Sequence, residues 1–176
     1  MCSSDLGSYY TPQKIAQNMT KGFVFSNGES FFDPCCGSGA FLLAVNASDP
    51  NQIFGVDNDK VAVLISRINL LLKYKDSEFI PQIYCLDFLM GNSIVRQHPI
   101  FEKTFDYIAT NPPWGAMDDG GNIYAITSKE TFSCFFVKAF EQLNESGTIR
   151  EALINLKKVV KSNQGASNEG YPSVLP

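Results

Sequence analysis

Apolar residues along this chain fall into two kinds of run. Four runs are short and nearly continuous: Ser30-Phe31-Phe32-Asp33, Ile53-Phe54-Gly55-Val56-Asp57, Ile83-Tyr84-Cys85-Leu86 before Asp87, and Phe105 to Thr110 before Asn111. Their length and composition predict short buried strands. The other runs recur at helical spacing. Thr11-Pro12 supplies an N-cap and a first-turn proline for a short helix over 13–19. The segment 40–45 begins a helix with almost no polar face, and Asp49-Pro50-Asn51 breaks it. Asn58-Asp59-Lys60 caps a helix running to about Leu72, with Val61, Leu64, Ile65, Ile68 and Leu72 at helical intervals. A further helix is expected from Ser128 to Leu143, with Phe132, Phe135, Phe136, Ala139, Phe140 and Leu143 as its apolar, core-facing stripe and Gly147 as its stop.

Strands alternating with helices predict an α/β fold, a Rossmann-like and mostly parallel sheet with both faces covered. Four strands are visible. The further strands that such a sheet requires are not visible after residue 147. The segment 151–160 has helical character, and 161–176 is polar and reads as disordered. The expected organisation is therefore a partial catalytic and cofactor-binding domain over 1–147, then a remnant helix and tail over 148–176.

Composition narrows the function more by exclusion than by indication. The 176 residues carry a net charge of −4, and charged residues make up 18 %, which is lean for a free-standing surface. A protein gripping duplex nucleic acid through its own surface normally carries surplus Lys and Arg. Here that grip is expected to come from elsewhere. The five cysteines form no CxxC pair, and the sole histidine, His98, sits in a polar loop. A disulfide framework or a Cys/His zinc site is not expected, and Asp118-Asp119 lacks a third ligand nearby, so no metal is expected. No apolar stretch approaches membrane-spanning length and no export signal is visible, which predicts a reducing, cytoplasmic setting without membrane contact.

Two turns carry chemistry. Asp33-Pro34-Cys35-Cys36-Gly37-Ser38-Gly39 follows the first strand and precedes a helix. Its glycines permit positive φ and close backbone approach to a ligand. Asp57 closes the next strand, where a carboxylate can accept from both hydroxyls of a ribose, and Asp87 closes the third, where it can accept from the amine of an adenine ring. The turn lacks both the three-glycine dinucleotide pattern and the Lys-Ser/Thr pair of a phosphate loop. Asp33 beside it suits a ligand ammonium better than a pyrophosphate. A tight turn without a ligand is the alternative reading. The second turn is Asn111-Pro112-Pro113-Trp114. Proline holds the preceding residue extended and offers no amide donor. The Asn111 side chain and the Pro112 carbonyl thus present two acceptors for the two hydrogens of a planar amine, and Trp114 can stack on the ring bearing it. A rigid surface turn is the competing reading of the two prolines.

These blocks resemble the amino-group DNA methyltransferases of restriction–modification systems, in their adenine-N6 branch. The resemblance covers roughly 7–147. It runs through Gly7-Ser8-Tyr9-Tyr10-Thr11-Pro12, the Asp33 to Leu42 block, Gly55-Val56-Asp57-Asn58-Asp59, Asp87-Phe88-Leu89 and Asn111 to Trp114, with 129–140 resembling a further block. It implies S-adenosyl-L-methionine as cofactor, held by Tyr10, Thr11, Asp33, Pro34, Gly37, Gly39, Asp57, Asn58, Asp87 and Phe88. It implies Asn111, Pro112, Pro113 and Trp114 at a flipped target adenine. It further implies DNA as partner, gripped through a separate target-recognition domain or subunit, and a restriction endonuclease as a possible associate. The Asn-Pro-Pro-aromatic block also serves methylation of protein glutamine and of RNA. Against the family, the chain reads as truncated after the catalytic block, which leaves an inactive remnant or a partner-dependent cofactor-binding module as a third reading.

Overall fold

The computed structural model describes residues 11–89, 98–112 and 131–151. In chain order the elements are α1 (Gln13–Thr20), β1 (Phe31–Asp33), α2 (Ala40–Ala44), β2 (Ile53–Asp57), α3 (Lys60–Lys73), β3 (Gln82–Cys85), β4 (Phe105–Thr110), α4 (Thr131–Glu141) and β5 (Leu143–Glu151), with single 3-10 turns at Pro50–Gln52 and Pro99–Phe101. The five strands form one sheet in the order β3-β2-β1-β4-β5. Every neighbouring pair is parallel. The order reverses between β1 and β4. In open parallel sheets, ligands bind outside the carboxyl ends of the strands at such a switch point.

β1 shows why the strands read as continuous apolar runs. Phe31 packs into the core shared with α1, α2 and α3, and Phe32 packs into the opposite core with Val56, Phe105, Ile108, Phe135 and Ala139. Both rings are fully buried. A central strand covered on both faces has no polar alternation to show. The Phe32 and Phe105 rings stack at 4.4 Å, tying β1 to β4.

Three expectations need correction. First, a fifth strand exists. β5 occupies residues expected to end a helix and form its stop, and it runs across residue 147 to Glu151, so that residue is not helical. Its pairing is irregular. Phe105 faces Leu143 and Tyr107 faces Thr148, so two steps along β4 correspond to five along β5. The extra residues, around Asn144-Glu145-Ser146-Gly147, look like a turn in sequence because they form a bulge. Second, Thr11 does not cap α1. Pro12 holds the cap position, with no side-chain cap. Third, Phe136 and Phe140 of α4 are exposed, so only part of the phenylalanine stripe is core. Of the helix expected over 151–160, Glu151 instead ends β5, and the remainder lies outside the described residues, as does the tail over 161–176.

Candidate active site

The turn after β1 is built by close approach. The Cys36 amide donates to the Val56 carbonyl at 2.9 Å, and the Gly39 amide to the Cys36 carbonyl at 2.8 Å. Gly39 has φ +93°, and a Cβ there would lie 2.6 Å from the Ser66 hydroxyl oxygen. Only glycine satisfies both the left-handed backbone and the α3 contact. At Gly37, φ is +51° and the space where a Cβ would stand is open. That glycine keeps the turn's outer surface bare at the strand ends.

Asp57 is held by amides. Its Oδ2 accepts from the Gly37 N–H at 2.7 Å and its Oδ1 from the Asp59 N–H at 2.9 Å. Burial raises its pKa, and the amide bonds pull against that rise. Asp33 is fully buried. Its Oδ1 accepts from the Cys35 N–H at 3.1 Å, while Oδ2 has no hydrogen-bond partner. Burial pushes its pKa up to about 7, with the Asp57 charge adding to the rise. The nearby Thr110 hydroxyl counteracts part of this, although it forms no hydrogen bond of normal geometry with the carboxyl. Burial also pushes the Cys35 and Cys36 thiols up, so neither is primed as a nucleophile.

At the end of β4 the second turn meets the N-terminal block. The Asn111 Nδ2 donates to the Thr11 Oγ1 at 3.2 Å, across a hundred residues of chain. The Asn111 Oδ1 is buried without a partner, as is the Thr110 Oγ1. Asp33 Oδ2, Thr110 Oγ1 and Asn111 Oδ1 are thus three unsatisfied oxygens at the ends of β1 and β4, flanking the switch point. Buried polar atoms normally find partners, and a ligand is one way to supply them. The acceptor character of the cluster fits a cationic ammonium at Asp33 and an N–H donor at Asn111. Thr110 was not singled out in the sequence. It sits in a β-rich run where threonine reads as a strand former.

The third strand contributes less directly. Asp87 Oδ1 accepts from the Leu89 N–H at 3.0 Å, and Phe88 is buried. The buried Lys138 of α4 donates to the Phe88 carbonyl and lies 4.8 Å and 4.6 Å from the Phe88 and Phe101 ring centres. That clamp fixes the loop after Asp87, and an apolar stripe gives no sign of it. Pro34 and Pro112 are buried, and Asn58 is exposed with its carbonyl facing the Cys85 thiol at 3.7 Å. Tyr10, Pro113 and Trp114 lie outside the described residues. Among the described residues no cluster of three His, Cys, Asp or Glu side chains suits a metal ion, and no helix is long and apolar enough to cross a membrane.

The family model for N-6 DNA Methylase matches residues 2–157. The chain belongs to that family. The N-6 methylase chain is 33 % identical over 164 residues to the Type II methyltransferase M.VspI of Vibrio sp. (strain 343), covering 85 % of this chain and 38 % of that protein. It is 26 % identical to the Type I restriction enzyme EcoEI methylase subunit of Escherichia coli, over 82 % of this chain and 32 % of that one. It thus spans about a third of the length of these relatives. Among solved structures, the DrdV–DNA complex by cryo-electron microscopy superposes with a TM-score of 0.65 at 18 % identity, over 83 % of this chain and 20 % of that chain. That likeness shows a shared fold, and the family match identifies it as the Rossmann-like parallel sheet of the N-6 methylases.

Proposed function

We propose that this methylase chain carries the cofactor and amine-holding half of an enzyme that transfers a methyl group from S-adenosyl-L-methionine to the N6 amino group of adenine in DNA. The observation that carries the reading is Asn111. Its amide nitrogen is engaged by Thr11, and its oxygen is left as a buried, unpaired acceptor beside Thr110. An acceptor so held takes one hydrogen of a planar amine and, with the Pro112 carbonyl as the second acceptor, turns the nitrogen lone pair out of the ring plane. Pro113 and Trp114 complete the turn, with Trp114 stacked on a base flipped from the duplex.

Asp33 fits the ammonium of the cofactor's amino acid part, Asp57 the ribose hydroxyls and Asp87 the adenine amine. Tyr10, Thr11, Pro34, Gly37, Gly39, Asn58 and Phe88 border the same ligand. When bound, the sulfonium supplies a reactive methyl group with no metal or redox step. The protein's contribution is alignment of the amine at about 3–3.5 Å from that methyl carbon, worth many orders of magnitude in rate. The proton that the amine loses departs after transfer. No histidine is needed for that, because the methylated ammonium is a strong acid.

DNA recognition falls to surfaces beyond this sheet, in keeping with the net charge of −4. We infer a target-recognition domain or subunit, and an association with a restriction endonuclease. A cytoplasmic setting and a unit boundary near 147, displaced toward Glu151 by β5, belong to the same reading. The test is transfer of labelled methyl from S-adenosyl-L-methionine to DNA, RNA and protein acceptors offered in parallel, with and without a relative's C-terminal chain. Label in DNA adenine supports the proposal. Label in protein glutamine or RNA alone, or none in any acceptor with the added chain, overturns it.

A further inference from the structure

Thr110 ends β4, next to Asn111, and its side chain is fully buried. Its hydroxyl makes no hydrogen bond. Valine is branched in the same way and is as good a strand former, so the strand itself does not require a hydroxyl here. A buried hydroxyl without a partner is unfavourable, and valine would remove it.

The position says which ligand group the hydroxyl meets. Phe32 and Ile108 are matched across the parallel pair of β1 and β4, so Asp33 lies one residue past that match and Thr110 two. The hydroxyl stands close enough to Asp33 to favour its ionised form. Yet Asp33 Oδ2 and Thr110 Oγ1 are both buried without a hydrogen-bond partner. Two neighbouring oxygens in that state suit a single donor with several hydrogens, and a primary ammonium is such a donor. A hydroxyl both accepts and donates. Thr110 can therefore take one ammonium hydrogen while giving its own proton to the Asp33 carboxylate. The unpaired oxygens of Ser66 and Gln142 lie elsewhere. Ser66 stands behind Gly39, and the Gln142 amide nitrogen donates to the Ile100 and Lys103 carbonyls ahead of β4. We infer that Thr110 is a further cofactor-binding residue, its hydroxyl joining the Asp33 carboxyl in seating the ammonium of the amino acid part of S-adenosyl-L-methionine. The inference rests on the reading that Asp33 meets that ammonium.

The test is calorimetry at about pH 7.5 with S-adenosyl-L-homocysteine and with its analogue carrying hydrogen in place of the α-amino group. The two ligands differ only in the ammonium. The parent chain is expected to prefer the amino ligand about a hundredfold, and Thr110→Val to cut that preference about tenfold. Thr110→Ser is expected to restore it to within about threefold, with affinity for the deamino analogue nearly unchanged throughout. The urea midpoint of Thr110→Val is expected to equal or exceed the parent's, because the unpaired hydroxyl is gone. If the valine variant does not fold, Thr110→Ala and Thr110→Ser carry the comparison, and alanine is expected to lose the preference that serine keeps. A parent that binds neither ligand or both alike, or an Asp33→Asn variant that keeps the full preference, overturns the ammonium reading and this inference with it. A parent preference that Asp33→Asn abolishes and Thr110→Val keeps in full overturns the Thr110 inference alone. A Thr110→Val variant that weakens both ligands equally overturns it too, since the residue then only shapes the pocket.

Discussion

The two sides of the switch point are finished to different degrees. Asp57 itself is satisfied, since both its carboxylate oxygens accept backbone amides, from Gly37 and Asp59, and among the described residues the unpaired oxygen on that side is the Ser66 hydroxyl behind Gly39. Around β1 and β4 the polar groups are not satisfied, since Asp33, Thr110 and Asn111 each leave a buried oxygen without a partner. The first side is preorganised by its own chain. The second is held rigid by burial but is chemically incomplete. A buried acceptor lacking its partner costs on the order of 1–3 kcal/mol. The fold tolerates that cost at three neighbouring positions, and the same three border the place where two ligands would meet. The difference suggests a division of labour: one side sets the turn, and the other takes its last hydrogen bonds from what binds.

Asn111→Ala tests the incomplete side most severely. Turnover is expected to fall about a thousandfold, because an aligned acceptor is lost at the reacting amine. Cofactor affinity, read by calorimetry, should stay within roughly threefold. A parallel loss of both would assign Asn111 to holding the Thr11 segment and would erase the contrast between the two sides.

Asp57→Ala tests the finished side. It removes the acceptor of two backbone amides as well as the proposed ribose contact, so affinity for S-adenosyl-L-methionine should weaken roughly a hundredfold. Maximal turnover at saturation should change far less. If turnover fell instead, Asp57 would belong with Asn111 functionally. Gly39→Ala is expected to cost the fold about 2 kcal/mol in urea unfolding, from the left-handed φ and the Ser66 contact. Ser66→Ala should recover part of that loss by removing the hydroxyl while leaving the backbone strain. No recovery would mean that φ alone dictates glycine there.

The sheet was legible because its strands end abruptly. β2 and β4 fall on the expected residues, since Asp57 and Asn111 close mainly apolar runs, with Asp106 the one charged residue inside them. The candidate site was legible only as residue types at strand ends, and the parallel sheet brings Asp33, Asp57 and Asn111 to one edge. Hidden from the sequence was everything that depends on rotation and register. Periodicity locates α3 but does not say which stripe faces inward, and hooks such as Arg67 on the Ile83 carbonyl decide it. β5 was missed because its bulge has turn-like composition, and only Thr148 to Glu151 pair in step with β4. Thr11 looked like a cap and is instead the partner of Asn111, a contact no local rule links.

The smallest expected effect is a pH dependence, and it concerns Asp33. Its pKa rises from 3.8 unfolded to about 7 folded, so the ligand-free fold favours the neutral acid. The stability this group contributes is fully present below about 3.8 and is lost as pH rises through about 7. A cationic ammonium at Oδ2 reverses the preference by favouring the carboxylate. Binding should therefore release a proton below pH 7. Affinity for S-adenosyl-L-methionine should rise about tenfold from pH 6 to pH 7.5, before the ligand's own α-amino group, near 7.7–8.0, deprotonates. Calorimetry in buffers of different ionisation enthalpy measures the proton directly. Asp33→Asn should bind more weakly, release no proton and show a flat profile across that range. A parent protein with the same flat profile would mean that Asp33 does not meet the ammonium, and its unpaired oxygen would then belong to the fold rather than to the site.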